Sequence, residues 1–150
     1  MQLSEHFSLA DLVKSDVANR LKIKNIPNEK EINCLGQVAK NILEPIWSHF
    51  KVSFVPSSGY RCLKLNRVLK SKDTSQHIKG EAVDIEVPGI SNFDLAEWIY
   101  KNLDFDQLIL EFYKPGEPTS GWVHCSYIDR GRRQEVLTYS DQTYSNGLIG

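Results

Sequence analysis

Only three cysteines occur in the chain, Cys34, Cys62 and Cys125, and no two of them form a Cys-x-x-Cys pair. An odd count without that spacing excludes a complete disulfide frame and is read as three buried free thiols in a reducing compartment. A surplus of charge is missing too: eighteen basic and nineteen acidic residues leave a net charge of -1. Bulk attraction to nucleic acid or to an anionic membrane is thereby excluded as the basis of function. No apolar run approaches the ~20 residues of a membrane span, so no membrane insertion is expected. The start MQLSEHFSLADLVKSD has no basic segment leading into an apolar one, which predicts a protein made in the cytoplasm without a secretory signal. Internal repeats and low-complexity runs are absent as well.

What is present is enough apolar material, 41% of 150 residues, to bury one core. The expectation is a single domain over 1–150, with its core at about 28–139 and a polar, loosely held tail at 140–150. Ser8 with Asp11 and Asn28 with Glu31 have the spacing of helix starts. Ile32, Leu35, Ala39, Ile42 and Ile46 form one helical stripe that ends or kinks near Pro45. Val52–Val55 is β-prone and runs into the turn cluster Pro56-Ser57-Ser58-Gly59, which places Arg61 at a strand-to-helix corner. Ser71–Gly80 is polar and predicts a loop. Ala82–Val87 alternates, so that Ala82, Asp84 and Glu86 share one face and Val83, Ile85 and Val87 the other. Ser91 with Asp94 opens a helix carrying Leu95, Trp98 and Ile99, expected to cover the sheet. Gln107–Phe112 and Trp122–Tyr127 predict two strands of a long-looped hairpin. If their faces coincide, Glu111 and His124 line one surface.

Three side chains able to bind zinc fall where this layout exposes them: His77 in a loop, and Asp84 and His124 on strands. Zinc accepts imidazole nitrogen and carboxylate oxygen at ~2.0–2.2 Å, and a catalytic site keeps three protein ligands. Gly80, between His77 and Asp84, allows a turn tight enough for loop and strand ligands to meet.

The segment Ser75-Gln76-His77-Ile78-Lys79-Gly80-Glu81-Ala82-Val83-Asp84 has the S-x-H-x-x-G-x-A-x-D form of the M15 metallopeptidases, the D-alanyl-D-alanine carboxypeptidase family. Trp122-Val123-His124-Cys125-Ser126 resembles that family's second histidine motif, and Ser58-Gly59-Tyr60-Arg61 its S-G-[YF]-R segment. The layout is most similar to compact bacteriophage and prophage members and also resembles the zinc fold of hedgehog signalling domains. The resemblance implies an α+β fold in which a small antiparallel sheet, flanked by helices, carries zinc on His77, Asp84 and His124. It also implies a peptidoglycan peptide as substrate, cut next to D-amino acids.

Many members place an acidic base three residues before the second histidine, where this chain has Gly121. Glu111 is the alternative, on the strand argument above and because hedgehog domains carry a glutamate on the corresponding strand. Glu81, Glu86 and Glu117 are weaker rivals by position. In such a site Glu111 takes a proton from water and returns it to the leaving amine. Arg61 either steadies the oxyanion, holds a substrate carboxylate or makes a structural ion pair. Ser75 and Gln76 are candidates for substrate contact or ligand orientation; Trp122 and Tyr60 either stack on substrate or pack the core. Three functions stay open: a carboxypeptidase or L-alanyl-D-glutamate-type endopeptidase, such as a phage lysis enzyme released to the cell wall; an inactive zinc-binding module; or a component carried on a phage particle. A monomer is expected.

Overall fold

Side-chain caps decide where the helices begin. Ser8 Oγ accepts from the Asp11 amide at 3.2 Å while the Asp11 carboxylate accepts from the Ser8 amide at 2.9 Å, opening α1 (Leu9–Val13). Asn28 and Glu31 make the same reciprocal pair at the start of α3 (Glu29–Val38); each closes two backbone donors that the helix cannot satisfy itself. Between them Ser15 caps α2 (Asp16–Leu21). Beyond α3 the chain continues through a π turn, Ala39–Leu43, into α4 (Glu44–Phe50). Pro45 has no N–H to return to the preceding turn, and the widened turn accommodates that gap without ending the helix. Two further helices, α5 (Leu63–Val68) and α6 (Asn92–Asn102), complete the set; Ser91 caps α6 as its spacing with Asp94 predicts.

The computed structural model describes residues 1–150. Five strands form one sheet: β1 (Ala82–Ile85), β2 (Gln107–Glu111), β3 (Trp122–Ser126), β4 (Glu135–Ser140) and β5 (Thr143–Asn146), in the order β1-β3-β2-β4-β5. One sheet face is apolar. Val83, Ile85, Leu108, Leu110, Val123 and Cys125 alternate onto it and join Leu35, Val38, Ile42, Leu95, Ala96 and Ile99 of the helices in a cluster of 22 buried residues. The opposite face is left to the polar residues of the same strands, which is the side-chain period of two at work. No helix is long and apolar enough to cross a membrane.

The α+β architecture agrees with the sequence, and several details correct it. The sheet is mixed, because β4 runs parallel to β2 while the other pairs are antiparallel. Residues 140–150 are not a loose tail: Thr143–Asn146 pairs with β4, and Thr138 Oγ1 donates to the Gly147 carbonyl at 2.8 Å. Nor does the core begin near residue 28, since Phe7 and Leu12 are fully buried. Val52–Val55 forms no strand; Phe54 is buried and Val55 exposed, and the only ladder contact comes later, as a bridge between Ser58 and Asp84. Of the cysteines only Cys125 is buried; Cys34 and Cys62 are half-buried thiols.

Candidate metal centre

Backbone bonds assemble the three motifs before any side chain meets. The Asp84 amide donates to the Ser58 carbonyl at 2.8 Å, the Ser57 amide to the Asp84 carbonyl at 2.9 Å, and the Arg61 amide to the His77 carbonyl at 3.1 Å. Gly80 ends the intervening loop at φ 73°, with the Glu31 carbonyl oxygen 2.6 Å from where a Cβ would stand, so a side chain there is excluded twice over. Antiparallel pairing of β1 with β3 sets Asp84 directly opposite His124. The result is a buried cluster: Asp84 Oδ1 lies 3.1 Å from His124 Nδ1 and 3.4 Å from His77 Nε2.

The donors fit a divalent metal. His77 Nδ1 is 2.7 Å from the Gly59 carbonyl oxygen, so the ring's proton belongs on that nitrogen and the lone pair on Nε2. That Nε2 is buried and has no hydrogen-bond partner, an arrangement that costs free energy unless a cation takes the lone pair. The separations of 3.1 and 3.4 Å bracket the ~3.3 Å edge of a tetrahedron with ~2.0 Å metal–ligand bonds. Burial lowers the affinity of His77 for a proton, against the pull of Asp84, and favours the neutral imidazole that metals bind. Burial would push the Asp84 carboxyl up, but His77 and His124 outweigh it and hold the group far below the usual carboxylate range.

Glu111 and His124 do share one surface: β2 and β3 pair Ile109 with His124 and Glu111 with Trp122, so all four point to the polar face. Glu111 lines the same cleft of about 740 Å³ as Arg61, His77, Asp84 and His124. Burial and the Asp84 charge raise its pKa, with the His124 and Arg61 charges partly offsetting them, which moves a carboxylate towards the range useful for a base near neutral pH. Gly121, the position where the sequence resemblance leads one to expect an acid, cannot carry a side chain here. Its φ is 65°, and a Cβ would run into the Glu111 carbonyl oxygen and the Phe112 carbonyl carbon. Gly121→Asp is therefore expected to destabilise the fold by more than about 3 kcal/mol, read as a fall in Tm, instead of supplying a second base.

The other predicted residues separate into two groups. Arg61 is mostly committed to the protein: Nε donates to Ser58 Oγ at 3.1 Å, Nη1 to Asn66 Oδ1 at 3.1 Å and Nη2 to Asp84 Oδ2 at 3.3 Å. It fixes the second oxygen of the ligand carboxylate, so the ion-pair reading holds, with two N–H groups left over. Trp122 lines the cleft, and its buried indole N–H lacks a partner. Ser75 Oγ accepts from the His77 amide at 3.2 Å and so shapes the ligand loop. Gln76 lines the cleft but donates to Asp106 Oδ2 at 3.0 Å and to Glu81 at 3.2 Å. Tyr60 does not face the cleft; it is a core residue, 5% exposed. Among the weaker rivals, Glu81 is tied to Gln76, Glu86 accepts from Asn92 at 3.1 Å, and Glu117 is exposed in its loop.

Sequence reasoning missed the Gly59 carbonyl, which orients His77 through backbone, and Asn66, which holds Arg61. It also missed the Asp106–Arg133 pair at the cleft margin. Arg133 Nη2 and Nε reach Asp106 at 2.8 and 3.1 Å, and the Asp106 side chain is 3% exposed. Burial alone would raise this carboxyl, yet the Arg133 bonds hold it below its usual value. A depressed folded-state pKa stabilises at neutral pH and loses that contribution as pH falls through it. Asp106→Asn should thus cost about 2 kcal/mol at pH 7, and the two Tm–pH curves should converge below about pH 4.

A loop imidazole meeting a strand imidazole and a strand carboxylate, with a further carboxylate in the same cleft, defines a protein able to hold a divalent metal where hydrolytic chemistry can be done. The chain belongs to the Peptidase M15 family, whose family model matches residues 5–126, and it is thereby a metallopeptidase by membership. Members are typically zinc-dependent, and the matched residues include His77, Asp84 and His124. No curated protein matches the chain.

Proposed function

We propose that this protein is a zinc-dependent peptidase that hydrolyses peptidoglycan stem-peptide bonds next to D-amino acids, with His77, Asp84 and His124 as ligands and Glu111 as general base. The observation that carries the reading is the unpartnered, buried His77 Nε2 facing Asp84 Oδ1, in one cleft with Glu111. Bound zinc would supply the Lewis acidity that activates water and polarises the scissile carbonyl. Glu111 accepts the proton of the attacking water and delivers it to the departing amine. Arg61 orients Asp84 through its second carboxylate oxygen, and its two spare N–H groups are available to the carbonyl oxygen or to a substrate carboxylate. His77 is held in one tautomer by Gly59. The compact layout and the motif series support a phage or prophage wall-degrading enzyme acting on the cell wall after release.

The reading of an inactive zinc-binding module draws on the missing acid at position 121; the cleft position of Glu111 weighs against it. Mass spectrometry of a defined muropeptide digested with the zinc-loaded protein tests the reading. Loss of a terminal alanine or one internal cut, abolished by chelator, is the expected result; intact muropeptide would leave only the binding module.

A further inference from the structure

The sheet face that carries the ligands continues past Glu111. Register pairs Glu111 with Trp122 on one side and with Tyr139 on the other, and Tyr139 with Tyr144 on β5. Residues directly opposite one another in a ladder point to the same face, so Trp122, Tyr139 and Tyr144 extend the catalytic surface. Phe112 joins them by an irregular route. In a regular strand its ring would point to the helix-covered face, but at φ 57° the chain turns it onto the cleft. Left-handed backbone costs an L-residue roughly 1–2 kcal/mol, and a strained residue beside a site is a reason to look for function.

The four rings make one strip. Centroids are 5.1 Å apart for Phe112 and Trp122, 5.3 Å for Phe112 and Tyr139, and 4.4 Å for Tyr139 and Tyr144. All four line the cleft, yet Phe112 remains 45% and Tyr144 56% exposed. None of the four strip residues is charged; the cations of the cleft, Arg61, Lys70, Lys72 and Arg133, come from other segments, and Arg61 is committed to Ser58, Asn66 and Asp84. Arg133 is at the other end of the face, bound to Asp106 and to Glu135, the partner of Gln107. Tyr139, Tyr144 and Phe112 take part through β4, β5 and the end of β2, and the first two lie outside the matched residues 5–126.

An open aromatic strip with phenol hydroxyls and without positive charge suits a neutral ring that has an apolar face and a polar rim. We propose that the strip Trp122–Phe112–Tyr139–Tyr144 is a subsite for a pyranose ring. Resting on the peptidase reading above, it holds an N-acetylated sugar of a stem peptide still joined to its glycan, on the Glu111 side of the scissile bond. The enzyme then prefers glycan-linked stems to free peptides.

The test has two arms on the full chain. In the first, the N-acetylglucosamine trimer is titrated into the protein and followed by calorimetry and tryptophan fluorescence. Saturable binding is expected, weakened about tenfold in Tyr144→Ala and in Phe112→Gly, the loss of roughly one ring stack. Glycine takes the left-handed backbone without strain, and Tyr144 is exposed, so both variants should fold. In the second arm, kcat/KM is compared for a disaccharide-bearing muropeptide and the bare stem peptide. A preference of about tenfold or more is expected, falling towards parity in both variants. Sugar binding that depends on Tyr144 and Phe112 without any hydrolysis would uphold the subsite and remove the peptidase reading. Hydrolysis of both substrates at equal kcat/KM, with no trimer binding, would overturn the subsite and leave the peptidase reading standing.

Discussion

Glu111→Gln is expected to lower turnover of a stem-peptide substrate by about 10²–10⁴-fold, the usual contribution of a general base, while leaving the bound metal in place. The glutamine is isosteric and keeps polar contacts in the cleft, but it cannot accept a proton. The position is set by the β2–β3 register and not by the metal, because Glu111 is opposite Trp122 while His124 is opposite Ile109. Removing the carboxylate therefore leaves the three ligand side chains where they are. Metal content measured beside kcat separates the two roles. Turnover within a few-fold of the parent protein would remove Glu111 as the base, and no other acid is then a ready substitute, since Gly121 cannot be replaced without a collision with backbone.

Asp84→Ala should have the largest effect on both metal and stability. It deletes the one carboxylate shared by His77, His124 and Arg61. The Arg61 side chain, only 13% exposed, would then be a buried cation without its ion-pair partner, with only the more distant Glu111 charge left to act on it, and breaking a buried pair costs about 3–5 kcal/mol in comparable cases. Loss of stoichiometric metal binding adds to that in the holo protein. Thermal unfolding in chelator isolates the ion-pair part: the parent protein should still unfold at a clearly higher temperature than the variant. Equal Tm values in chelator would mean that Asp84 stabilises through metal alone and that the Arg61 contact contributes little.

Much of this arrangement could be read from the chain because the signals were local. The reciprocal caps at Ser8–Asp11 and Asn28–Glu31 act over three residues. The facing of Asp84, Glu111 and His124 follows from a period of two within short strands. What escaped was non-local or made by backbone. β5 is polar and short, and β4, the longest strand, gains its place by pairing in parallel with β2, more than twenty residues away along the chain, which no periodicity reveals. The supposed strand at Val52–Val55 has β-prone residues but no neighbour to pair with; burial of Phe54 explains its apolar character without a ladder. The tautomer of His77 depends on a carbonyl oxygen at Gly59, to which residue type gives no clue. Tyr60 was ambiguous by composition, and only its burial beneath the motif decides for packing.

The most direct test of the central claim is to measure metal content and stem-peptide hydrolysis on the same preparations of the parent protein, His77→Ala and Glu111→Gln. One zinc per chain with chelator-sensitive hydrolysis in the parent, neither in His77→Ala, and zinc without hydrolysis in Glu111→Gln is the predicted pattern. Full hydrolysis by metal-free parent protein, or undiminished zinc in His77→Ala, would contradict it.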